Sequence, residues 1–165
     1  MSVAKDRRNA RRCALQAMFE MDLGGENKGG AGESLVGAFR DDAQSSESDS
    51  CLAQGVELAR AAWNARDISD AAIAQLSPEW PIHRQPAVDR NVIRIAVYEI
   101  THELAPPVAV IDAAVELARE FGGEHSPAFV NAVLDRWWKD RGGTRRCSAR
   151  RWTRFAAAFQ KPPPL

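Results

Sequence analysis

The chain has 165 residues, 45% of them hydrophobic, and a formal net charge of zero. That size suits one domain, or two packed subdomains sharing a core; no apolar run reaches the ~18 residues of a membrane span, no apolar signal core follows the basic N-terminus, and Cys13, Cys51 and Cys147 show neither metal-site spacing nor an even disulfide set. The zero charge hides an asymmetry: residues 1–12 hold five basic residues against Asp6 and residues 136–165 hold nine against Asp140, leaving an acidic middle, a pattern that suits terminal contacts with a polyanion and a middle that faces a basic partner.

Residues 6–23 read as the first helix. At ~100° per residue, Ala10, Cys13, Ala14, Ala17 and Met21 share one side, while Arg8, Arg12, Leu15 and Phe19 share the opposite side with Arg11 on its flank. The first side is core. The second has two readings. Either Phe19 packs on another helix beside solvated arginines, or the side is a phosphate-binding strip with a ring on which a base stacks. The following GGENKGGAGES is a polar, glycine-rich loop. Leu35, Val36, Ala38 and Phe39 form one short helix, and DDAQSSESDS has no core residues to fold around.

Cys51 to Trp63 is helical, with Leu52, Val56, Ala59 and Trp63 on one side. Gly55 within it lowers helix stability by ~1 kcal/mol relative to Ala. Asp67 to Leu76 is a second helical run, so this region is one bent helix or two. Ser77-Pro78 opens a turn containing Trp80, and Pro81 and Pro86 bracket an irregular connection.

Pro86 to Arg136 holds three well-punctuated helices, half of a helical bundle. Asp89 is placed to cap the first, whose stripe of Val92, Ile93, Ala96, Val97, Ile100 and Leu104 runs to Pro106-Pro107. The second carries Val108, Ile111, Val115, Leu117, Ala118 and Phe121, and Gly122-Gly123 supplies a left-handed closing residue. The third opens with Ser126 as cap and Pro127 at its first position, followed by Phe129, Val130, Val133 and Leu134. Trp137, Trp138 and Lys139 finish it, and Gly142-Gly143 breaks it. The basic extension after that has three readings: a disordered tail, an added RNA- or membrane-surface helix aligning Trp152, Phe155 and Phe159, or a segment packed on the domain.

No catalytic constellation stands out. There is no glycine-rich phosphate loop with its lysine and no dinucleotide fingerprint. His83, His102 and His125 stand apart without metal-spaced partners. Asp112 and Glu116, one helical turn apart, read as solvated charges. The expectation is a cytoplasmic protein, in keeping with its cysteine usage, with no cofactor, no metal and no enzymatic activity.

VDRNVIRIAVYEI, PPVAVIDAAVELAREFG and FVNAVLD, in this order after RRNARRCALQAMFEMDL, resemble the NusB family of transcription antitermination factors, over most of residues 5–136. The resemblance implies an all-α bundle of about seven helices in two packed subdomains, about 5–76 and 77–136, with residues 137–165 as a basic extension. It implies a non-enzymatic protein that binds boxA-like single-stranded RNA jointly with the ribosomal protein NusE, within the RNA polymerase antitermination complex and away from membranes. Arg7, Arg8, Arg11 and Arg12 are then phosphate contacts, and Phe19 stands where relatives usually have Tyr. His125 takes the place of an Asp in many relatives. Phe129 and Asn131 match the family's FVNG, with Ala132 in place of its Gly, and lie near the RNA. Asp89 lies near the NusE surface. Two other classes remain: an RNA-binding accessory domain of a ribosomal RNA cytosine methyltransferase, and a structural homodimer that hides its RNA face.

Overall fold

The computed structural model describes residues 3–24 and 49–143. These form six helices and one 3-10 turn, with no strand among the described residues: α1 Val3–Gly24, α2 Asp49–Asn64, α3 Arg66–Leu76, the 3-10 turn Ile82–Arg84, α4 Ala87–Thr101, α5 Pro107–Phe121 and α6 Ser126–Asp140. The all-α expectation holds, with six described helices where about seven were expected. The short helix expected around residues 35–39, and residues 144–165 of the basic extension with its three readings, lie outside the described residues. The region after Cys51 is two helices, parted at Ala65.

Helix α4 is the axis of the fold, because it packs against each of the other five. Residues 91–97 are all buried, as are Glu99 and Ile100. The expected apolar stripe is therefore too narrow: α4 has no solvent face along its middle. Val92, Ile93, Ile95, Val97 and Ile100 are at most 3% exposed, and burying each such side chain favours folding by ~1.5–3 kcal/mol. Leu104 is corrected, being 48% exposed beyond the helix end. The helix stops at Thr101, well before the prolines. Glu103 adopts a left-handed φ of 54°, and the Leu104 N–H reaches back to the Glu99 carbonyl at 3.0 Å, the bond that closes a helix through a left-handed residue.

A helix buried all round must satisfy its polar side chains internally. Glu99 accepts from Arg11 of α1, at 2.8 and 3.1 Å from Nε and 2.9 Å from Nη2. Arg94 donates to both oxygens of Asp70 in α3, each at 2.7 Å, and lies 3.4 Å from Asp22 of α1. Asp22 also accepts from Arg90 at 2.6 Å and from Asn91 at 3.0 Å. Burial pulls the Arg94 guanidinium down, but Asp70 and Asp22 outweigh it and raise its pKa. These bonds pin α1 and α3 to α4 at fixed heights.

Helix α1 lies between α2 and α4. Ala10, Cys13, Ala14 and Ala17 are core, as expected. Leu15, expected on the polar side, is only 2% exposed; four residues after Arg11, it shares the side turned to α4. Against α2 the seam is built of small residues. A Cβ on Gly55 would lie 2.5 Å from the Cys13 Cβ and 2.7 Å from the Ala10 carbonyl oxygen.

Helix α6 runs through the boundary expected at Arg136. Trp137 and Trp138 are 2% and 1% exposed, and Gly143 lies flat against the Trp138 indole, where a Cβ would come within 2.0 Å of the ring.

Candidate nucleic-acid interface

The exposed cations begin at the α1 N-terminus. Arg7 and Arg8 are exposed and Arg12 is half-buried. Arg8 and Arg12 turn toward the end of α5, where one carboxylate meets both: Glu120 lies 3.6 Å from Arg8 and 2.9 Å from Arg12. The Arg12 guanidinium also sits 5.7 Å from the centre of the Phe121 ring. Arg8, Arg11, Glu116 and Glu120 line a shallow cleft of about 160 Å³ between the two helices. Phe19 follows Arg12 by seven residues, ~10 Å further along the same face, and is 37% exposed. Its ring is thus at the surface rather than in the core.

Arg11 lines the inner wall of that cleft but is not one of its exposed cations. It is 9% exposed, and its guanidinium is held by Glu99. A flank position on a helical wheel cannot show which neighbouring helix covers it.

From Phe121 the chain turns into α6. Gly122 is extended, at φ −94° and ψ −174°, so the expected left-handed closure is absent. Glycine is needed here for space: a Cβ would lie 2.6 Å from both the Ala118 carbonyl oxygen and the Ser126 Cβ. Ser126 is the first residue of α6 and not its cap, which is His125. The Ser126 hydroxyl accepts from the Gly123 N–H at 2.9 Å and lies beside the Asp89 carboxylate, where it favours the charged form, while Asp89 Oδ1 is buried without a hydrogen-bond partner. Asp89 is likewise corrected as a cap. Pro86, extended at ψ 136°, starts α4, and Asp89 stands in the first turn with no capping bond. It is 2% exposed, and it ties the start of α4 to the α5–α6 turn.

This burial has a measurable consequence. Burial raises the Asp89 pKa, against a smaller lowering by the Ser126 hydrogen bond. A carboxyl with a raised folded-state pKa stabilises the fold fully below its unfolded value, and that contribution is lost as pH rises through the folded one. Chemical denaturation across a pH series is expected to show wild-type stability falling, relative to Asp89→Asn, as pH rises from ~4. Parallel curves would mean that Asp89 titrates as it does in the unfolded chain.

Beyond the turn, His125 is exposed and Asn131 is half-buried and engaged within the fold. Phe129 packs partly on the core and against Trp80, with ring centroids 5.2 Å apart. Arg8, Arg12, His125 and Phe129 are thus linked along α5, the Gly122–His125 turn and the start of α6. Asp89 lies beneath that turn, and Arg11 on the inner side of α1. Two neighbours of the strip escaped the sequence reading. Glu120 gave no signal, since its partners lie more than a hundred residues away. Trp80 gave one, a large ring in a proline-bracketed loop.

The NusB family model matches residues 8–139. The transcription antitermination protein NusB of Dehalococcoides mccartyi (strain CBDB1) is 40% identical over 129 residues, covering 78% of this chain and 86% of that protein. Its counterpart from Herpetosiphon aurantiacus is 39% identical over 138 residues, covering 81% and 90%. Among solved structures, T. maritima NusB superposes with a TM-score of 0.67 at 27% identity, covering 81% of this chain and 91% of that one. A complex of antitermination factors NusB and NusE with dsRNA contains a chain matching at a TM-score of 0.69 and 25% identity, covering 82% and 98%. No helix among the described residues is long and apolar enough to cross a membrane.

Proposed function

This chain belongs to the NusB family, and we propose on that premise that it is a transcription antitermination factor that binds boxA-like RNA jointly with ribosomal protein NusE. The mechanism is assembly without catalysis, in the cytoplasm, as part of the RNA polymerase complex that reads ribosomal RNA operons. The observation that carries the reading is the strip of exposed Arg7, Arg8 and Phe19 with half-buried Arg12 between them, on a fold shared with a NusB–NusE–RNA complex. The arginines neutralise phosphates, and Phe19 offers a ring to an unpaired base. His125 adds a donor at the turn without a carboxylate's repulsion. Phe129 and Asn131 support the floor of the site. Asp89, being buried, acts on the NusE surface by holding the α5–α6 turn. The relatives are antitermination proteins over 86% and 90% of their own length, which does not favour the methyltransferase accessory reading.

The test is a titration of the chain with a single-stranded RNA carrying boxA, with and without NusE, at several salt concentrations. The same strand in duplex form and a scrambled strand serve as controls. Wild type should prefer the boxA strand, and NusE should tighten binding. Arg8→Ala/Arg12→Ala is expected to lower the log–log salt slope by ~0.7 for each phosphate that is no longer neutralised. Phe19→Ala should weaken RNA binding by ~1–3 kcal/mol while barely moving the denaturation curve. No preference for boxA would sink the reading, and an unchanged slope in the double variant would move the RNA off this strip. Light scattering of the free chain distinguishes the competing homodimer.

A further inference from the structure

We propose that Trp80 is a second stacking platform of the RNA surface, holding one unpaired nucleobase beside Phe129. The inference rests on the RNA-binding reading above and extends its surface into the connection between α3 and α4. The Trp80 indole is 42% exposed, although so large an apolar ring gains by burial. It is nonetheless held firmly. The ring leans on Phe129 with planes 46° apart, and its Nε1 donates to the Arg84 carbonyl at 3.1 Å. The Trp80 carbonyl accepts from Gln85 Nε2 at 2.8 Å. Gln85 is itself 3% exposed, and its carbonyl accepts from Arg90 at 2.8 Å, so the loop is anchored to α4.

The single polar atom of the indole is therefore already satisfied, and what remains open is ring surface. A stacked base needs just that: a flat, pre-positioned π-face and no particular hydrogen bond. Around the ring, Arg84, His83 and His125 are exposed as donors beside the acids Glu79 and Glu124. A flat ring also suits a proline-rich or aromatic segment of a protein, but this one continues the surface that leads back through the α5–α6 turn to the arginines of α1, which favours a polyanion. Phe129 joins the ledge to the α5–α6 turn, and hence to Arg12, so one strand could follow the surface from the arginines to the indole.

The experiment uses the full chain with NusE and a fluorescein-labelled single-stranded RNA carrying boxA. Trp80→Ala should weaken binding about 5- to 150-fold, and Trp80→Phe should restore most of it. The salt slope should match wild type in both, since no charge is removed. Unchanged RNA affinity in Trp80→Ala, or a loss confined to NusE binding, overturns the proposal while the RNA-binding reading stands. A wild type that fails to bind the RNA overturns both. An independent readout is wild type labelled with 5-fluorotryptophan, its Trp80 fluorine resonance assigned by its loss in Trp80→Phe. That resonance should shift on adding RNA. If it stays in place at saturating RNA, the platform is excluded, whether or not the alanine variant folds.

Discussion

Arg11→Ala is expected to lose ~3–5 kcal/mol of folding stability, the cost of breaking a buried ion pair by removing one partner. The side chains of Arg11 and Glu99 are 11% and 7% exposed. Arg11 supplies two nitrogens to the carboxylate, all within 3.1 Å. Without the guanidinium, a carboxylate remains in the wall between α1 and α4 with little water to solvate it. Glu99→Ala should cost a similar amount for the mirror reason. Arg11→Met/Glu99→Leu should recover most of the loss, because two apolar side chains of similar volume leave no charge stranded. Denaturant titration of the four proteins reads this directly. RNA affinity of the folded fraction should stay at the wild-type value in Arg11→Ala, unlike Arg8→Ala/Arg12→Ala. A large loss of RNA affinity with an unchanged denaturation midpoint would return Arg11 to the phosphate-binding strip.

Gly55→Ala should destabilise the fold by ~1–3 kcal/mol, the usual range for overpacking. Intrinsic propensity has the opposite sign, since Ala is favoured over Gly in a helix by ~1 kcal/mol. Geometry decides between them. The new methyl would meet the Cys13 Cβ at 2.5 Å, the Ala10 carbonyl oxygen at 2.7 Å and the Ala14 nitrogen at 3.3 Å. None of these is the end of a flexible side chain, so α1 and α2 must move apart and loosen the seam of Ala10, Ala14, Ala17 and Ala59. Gly24, at the end of α1, is the control: a Cβ there meets nothing within 4 Å. Gly24→Ala should be neutral or slightly stabilising. Equal stability of Gly55→Ala and wild type would show that the seam is slack.

The same two residues show what the sequence can and cannot convey. Helices α4, α5 and α6 are legible because prolines and apolar spacing act within a few residues of where they stand. Phe19 is only half legible: the wheel sets it opposite the small-residue side, but it sets Leu15 there too, and Leu15 is buried while Phe19 is not. Arg11 is not legible, because its partner lies 88 positions away and a wheel does not show which side a second neighbour will cover. Gly55 reads as a weak spot in a helix until α1 is laid against it. Asp89 has the residue type and spacing of a cap. Pro86 starts the helix instead, and the carboxylate is drawn to Ser126 across the tertiary fold. Trp80 and Glu120 become parts of one surface only when the connection and the end of α5 are folded onto it.

The central place of α4 also bears on how the protein comes into being. Helices α1 to α3 are made first, yet the partners of Arg11, Asp22 and Asp70 all lie on α4. From Leu76 to Thr101 the ribosome must add another stretch of chain, which at ~5–20 residues per second takes about one to five seconds. During that interval the nascent N-terminal half has its small-residue seam but neither its axis nor the counter-charges for its inner side chains. It is a half-built shell until α4 is made.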